Sequence, residues 1–95
     1  MLHTLTRSPW QMDFSAFMRS LSDGDDVLLL QDGVVAGIQG SSFLDLLQQA
    51  PISVHALNND VIARGLSGQI STTVDRVSYN DFVRLAIKHP SQMNW

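Results

Sequence analysis

Four consecutive apolar residues, Val27-Leu28-Leu29-Leu30, constrain this chain more than any other feature. A strand with one wet face alternates polar and apolar side chains, whereas an unbroken run suits a strand covered on both sides, as in a parallel sheet. The flanking segments agree with that reading. Leu2 to Leu5 reads as a first strand. Ser8-Pro9 then opens a helix, because Ser caps free amides and Pro is tolerated at the first helical position. Trp10, Phe14, Phe17, Met18 and Leu21 recur at the spacing of one helical face. Asp23-Gly24-Asp25 supplies turn chemistry, and Asp32-Gly33 ends the apolar run.

Further on, Val34 to Ile38 reads as a short helical turn. Ser42 with Asp45 resembles a capping box ahead of Phe43, Leu44, Leu46 and Leu47, a second helix stopped at Pro51. Ile52 to Leu57 predicts a third strand. Asn58 and Asn59 are good caps for a short helix ending near Gly65. A polar loop over Leu66 to Thr73 precedes a weak fourth strand, Val74 to Val77. Ser78 caps a last helix bearing Tyr79, Phe82, Val83 and Ala86, with Lys88 and His89 suited to its negative end and Pro90 closing it. Strand and helix thus alternate throughout. The expected fold is a single α/β domain over residues 1–95, with a mainly parallel sheet of about four strands, helices on both faces and right-handed crossovers.

A chain of 95 residues has a thin core, since a domain of this size buries only about 60–65% of its unfolded surface. Charged residues make up 16% of the sequence, against about a quarter usually. Either part of the surface faces a partner, or Ser, Gln, Asn and Thr cover it. The net charge is −3, from nine aspartates and six basic residues. Those six (Arg7, Arg19, Arg64, Arg76, Arg84 and Lys88) are scattered, so direct nucleic-acid binding, which needs clustered cations, is not expected. The start of the chain lacks the pattern of a signal peptide, and no segment is apolar for the length of a bilayer. The cytosol is the expected compartment.

There is no cysteine, which excludes disulfides, thiolate metal ligation and thiol nucleophiles. His3, His55 and His89 form no metal-ligand motif, and His3 and His55 read as hydrogen-bonded structural residues in strands. Gly33, Gly37 and Gly40 follow a strand without the spacing of a phosphate loop, and no GxSxG elbow occurs. Asp23, Asp25 and Asp26 read as solvated turn residues, and Asp32 as a cap for the backbone that follows it. The tail Ser91-Gln92-Met93-Asn94-Trp95 places a large apolar group at a chain end. Trp95 therefore reads either as a partner contact or as a residue folded back on its own domain.

Together, several blocks resemble one family. They are Leu2-His3-Thr4-Leu5 with Arg7-Ser8-Pro9-Trp10, Leu28-Leu29-Leu30-Gln31-Asp32-Gly33-Val34, Ala56-Leu57-Asn58 with Asp60, Ile62-Ala63-Arg64-Gly65-Leu66, Asp81-Phe82-Val83-Arg84-Leu85, and Lys88-His89-Pro90-Ser91-Gln92-Met93 with Trp95. The chain resembles the DsrH-like branch of the DsrE/DsrF/DsrH group. The resemblance implies a three-layer α/β fold and a heterohexamer, a dimer of heterotrimers, built with TusC-like and TusD-like subunits. Such a complex passes persulfide sulfur to a downstream carrier of TusE type, towards 2-thiolation of a modified wobble uridine in tRNA.

Each station of such a relay needs a thiolate to attack the outer sulfur of a persulfide. Some DsrH-like members carry a cysteine in the first helix. Here the corresponding stretch is Ala16-Phe17-Met18-Arg19, and a thioether cannot form a persulfide. The resemblance therefore implies a non-catalytic subunit with no catalytic, metal or cofactor residues and no direct nucleic-acid or membrane contact. Trp95, Met93 and Trp10 are its expected interface residues. Two other readings stand beside it: a stand-alone module binding a nucleotide or flavin near Asp32-Gly33, and a small hydrolase pairing an Asp or Ser with His3 or His55.

Overall fold

The apolar run forms the centre of a sheet that is parallel throughout. The computed structural model describes residues 1–95. Its strands are β1 (Leu2–Leu5), β2 (Asp26–Leu29), β3 (Ser53–Leu57), β4 (Asp75–Val77) and β5 (Gln92–Asn94), in the order β4-β3-β2-β1-β5. Every residue of β1 and β2 is buried. Its helices are α1 (Phe14–Arg19), α2 (Ser42–Gln49), α3 (Asn58–Ala63) and α4 (Tyr79–Lys88), with 3-10 turns at Pro9–Gln11 and Gln31–Gly37.

Chain order decides which face each helix covers. From β1 to β4 the chain steps across the sheet in one direction, so three right-handed crossovers fall on one side. The step from β4 to β5 runs the opposite way and carries α4 to the other side. The side chains bear this out. Leu5, Val27, Leu29 and Ala56 face a large core filled by Phe14 and Phe17 of α1, Leu44 and Leu47 of α2 and Val61 of α3. Leu2, Leu28 and Val77 face only Leu30 and α4, through Phe82, Leu85 and Ala86.

The fifth strand is a correction to the expected sheet. Gln92-Met93-Asn94 has neither an apolar run nor β-branched residues, so nothing local marks it as a strand. It forms because β1 offers an open edge. The Leu2 N–H donates to the Ser91 carbonyl at 3.1 Å, the Trp95 N–H to Thr4 at 2.8 Å and the Thr6 N–H to Trp95 at 3.1 Å.

Local capping moves three helix starts. The predicted first helix is interrupted at Met12, which is extended, because the Asp13 side chain accepts the Ala16 N–H at 3.0 Å and starts α1 afresh. Trp10 is thereby stranded on the 3-10 turn and left exposed. The cap of α2 is Ser41 rather than Ser42, accepting from Leu44 at 3.0 Å. In α3, Asn58 and Asn59 lie inside the helix and make no side-chain cap. At α4, Ser78 behaves as expected, in a reciprocal capping box with Asp81. Replacing Ser78 with Ala should destabilise the domain by about 1 kcal/mol. In a thermal melt that is a Tm lower by roughly 4–8 °C for a domain of this size.

Candidate functional site

Polar chemistry gathers at the N-terminal ends of the strands, the opposite end from Asp32-Gly33. Asp25 and Asp26, expected in solvent, are only 6% and 4% exposed. The turn before β2 delivers them beneath the histidines. Asp25 accepts from the Met1 amino group at 2.9 Å, from the Ser22 N–H at 2.9 Å and from His3 Nε2 at 2.9 Å. Burial alone would raise its pKa. These hydrogen bonds and the ammonium charge outweigh burial and hold it at about 2.

Asp26 faces α4. His55 Nε2 lies 2.9 Å from its Oδ1, while His89 Nε2 and Lys88 Nζ lie 2.6 and 3.2 Å from its Oδ2. Burial again raises its pKa, but hydrogen bonds from His55, His89 and Lys88, together with the lysine charge, bring it down to about 2. Lys88 and His89, expected to complement the end of their own helix, instead clasp that helix to β2. His55 Nδ1 also contacts Asp75 at 3.0 Å. Only the ring form protonated on both nitrogens donates to both carboxylates.

The other histidine is fixed differently. Trp95 Nε1 donates to His3 Nδ1 at 3.2 Å. Because indole is a donor only, Nε2 carries the proton that His3 gives Asp25. The Trp95 ring also meets Phe17 edge-on, with centroids 5.4 Å apart. This tryptophan is therefore half-buried against its own domain.

Neither histidine has a hydroxyl among its hydrogen-bond partners, and no three His or Asp side chains are placed to hold a metal ion. The glycines are spent on packing. A Cβ at Gly33 would lie 1.9 Å from the Leu5 carbonyl oxygen, and one at Gly37 would meet Leu29, Ile70 and Val74. Asp32 does not cap the turn after it. Its carboxylate pairs with Arg64 at 3.0 Å, and Asp60 takes the Gln31 N–H at 2.6 Å. The buried network is thus suited to holding α4 and both chain ends on the sheet.

The remaining candidates are surfaces. Trp10 is 76% exposed and meets the Phe43 edge at 4.7 Å. Met93 is exposed on the edge strand β5. On α4, Tyr79, Val83 and Ile87 are all exposed, and their four-residue spacing makes them one stripe. Sequence periodicity marked Tyr79 and Val83 as helical but not as uncovered. No helix is long and apolar enough to cross a membrane.

A family model described as DsrH like protein matches residues 7–92. The chain is 61% identical to Protein TusB of Escherichia coli strain K12 over 95 residues, the whole of both chains. It is 59% identical to Protein TusB of Enterobacter sp. strain 638 over the same span. Among solved structures, the ychN protein from E. coli superposes with a TM-score of 0.75 at 12% identity, covering 99% of this chain and 97% of that one. Protein MTH1491 from Methanobacterium thermoautotrophicum, of unknown function, gives a TM-score of 0.74 at 17% identity, with 99% and 96% covered. These two likenesses concern the fold.

Proposed function

The chain belongs to the DsrH-like family, and from that premise we propose that it is a non-catalytic subunit of a sulfur-relay complex serving tRNA 2-thiolation. Its companions are TusC-like and TusD-like subunits in a heterohexamer, a dimer of heterotrimers, in the cytoplasm. The complex hands persulfide sulfur to a TusE-type carrier. One observation carries the reading: a chain that matches Protein TusB along its full length has no cysteine at all. Sulfur moves between thiolates, so this subunit shapes the relay without holding the cargo. The buried aspartates support the same conclusion, since both are fully engaged in holding the fold. Trp10 and Met93, both exposed, are the contacts we assign to partners, joined by the part of the Trp95 ring that His3 and Phe17 leave uncovered.

Co-expression with the two cysteine-bearing companions should yield a single species of hexamer mass by native mass spectrometry. Cells lacking this subunit should lose most of the 2-thiouridine at the wobble position, measured by nucleoside chromatography. A chain that stays monomeric beside those companions, in cells with undiminished thiolation, defeats the proposal.

A further inference from the structure

Asp25 is a buried carboxylate, 6% exposed. Its Oδ1 takes the Met1 α-ammonium, and its Oδ2 takes His3 Nε2 and the Ser22 N–H. Of these partners, Met1 alone brings a full positive charge. His3 cannot supply one without loss, because a proton on Nδ1 would displace the indole N–H that Trp95 donates there at 3.2 Å. No lysine or arginine pairs with Asp25, whereas the neighbouring Asp26 has Lys88. Burying a carboxylate is costly unless it is paired. The counter-ion of Asp25 is therefore the backbone nitrogen of Met1.

The backbone holds that nitrogen in place. The Met1 carbonyl accepts the Asp26 N–H at 3.2 Å, and the Leu2 N–H is committed to the Ser91 carbonyl at 3.1 Å. The amine thus stands one residue ahead of β1, beside the turn that delivers Asp25. The nitrogen of Leu2, already in the sheet, could not replace it. Met1 itself is exposed, so the pair sits at the boundary between core and water.

We propose that the α-amine of Met1 is a modification site whose acylation state sets the stability of the domain. The modifying group is a small N-acyl group, formyl or acetyl, and either one removes the ammonium charge. The amide that results can still donate one hydrogen bond, but it leaves Asp25 buried without a counter-ion. For a chain begun on N-formylmethionine, hydrolysis of the formyl group is then a maturation step of the fold. Water adds to the formyl carbon, the C–N bond breaks, and the freed amine takes the proton that formic acid gives up as formate departs. The ammonium so formed is the group that Asp25 binds. This goes beyond the relay reading and does not depend on it.

The test compares the same chain in three forms, each identified by intact mass. They are the free amine, the N-formyl chain from cells grown with a deformylase inhibitor, and the N-acetyl chain from cells carrying an N-terminal acetyltransferase. Both acylated forms should melt at least roughly 4 °C below the free amine. Burial pushes the Asp25 pKa up, and the hydrogen bond from the ammonium is the strongest influence bringing it down to about 2. The acylated forms should therefore lose less stability than the free amine between pH 5 and pH 2, because a less depressed carboxylate has less stabilisation to lose there. In an Asp25→Asn background, formylation should leave the Tm unmoved, since no carboxylate remains for the ammonium to neutralise. Should that variant not fold, the acid slopes decide alone. Equal melting temperatures for the free and acylated chains overturn the inference. A lower Tm with an undiminished acid slope, or one repeated in Asp25→Asn, makes the bulk of the acyl group the cause and overturns it as well. Either result leaves the relay reading standing, which co-expression with the companions tests separately.

Discussion

Replacing Gly33 with Ala should cost about 3 kcal/mol or more, the upper range for an overpacked core. The added methyl would sit 1.9 Å from the Leu5 carbonyl oxygen and 2.7 Å from its carbon. Both atoms are backbone, so no rotamer change relieves the contact. The same oxygen accepts the Leu30 N–H at 3.0 Å, and Gly33 donates to Leu30 at 3.0 Å. Pushing β1 away therefore loosens the exit of β2 as well. For a domain of this size the Tm should fall by roughly 12–24 °C. Gly68→Ala is the control, because nothing lies within 4 Å of the added atom and its backbone is not left-handed. It should change stability by less than about 0.5 kcal/mol. Equal melting curves for the two variants would refute this account of Gly33.

That contact also shows where the sequence stops being informative. The run Val27-Leu28-Leu29-Leu30 announces a doubly covered strand, because its own composition demands two apolar faces. The Ser78 cap is legible for the same reason: donor and acceptor lie three residues apart. What is not legible depends on partners distant in sequence. Gly33 reads as a turn glycine because Leu5, which makes it indispensable, is 28 positions away. Gln92-Met93-Asn94 is a strand only because β1 has a free edge. Asp25 and Asp26 look solvated within Asp23-Gly24-Asp25-Asp26, and are buried because His3, His55 and His89 arrive from three other elements. The three histidines without motif partners were the available signal. The bare stripe on α4 follows from strand order, which no local pattern encodes.

Asp26→Asn should be the second most damaging change, and acid should reproduce part of it. The asparagine keeps the shape but removes the charge that gathers His55, His89 and Lys88. It also turns an amide donor towards ring nitrogens that themselves donate. Breaking a buried ion cluster by removing one member costs about 3–5 kcal/mol. The lower end applies here, because Lys88 is exposed and can be rehydrated. The sign of the pH effect follows from the direction of the shift. Asp26 has a pKa of about 2 when folded against 3.8 when free, so its stabilisation is complete above pH 3.8 and disappears as pH falls towards 2. Each pKa unit corresponds to about 1.4 kcal/mol, giving roughly 2 kcal/mol for this residue and a similar amount for Asp25, which is lowered equally. Denaturant melts of the unmodified chain should lose about 4–5 kcal/mol between pH 5 and pH 2. The Asp26→Asn chain starts lower but should show a clearly shallower slope, roughly half, since the buried Asp25 and the exposed capping Asp81 still titrate while position 26 no longer does. An undiminished acid slope in the variant would mean that the carboxylate at position 26 does not hold α4 to the sheet.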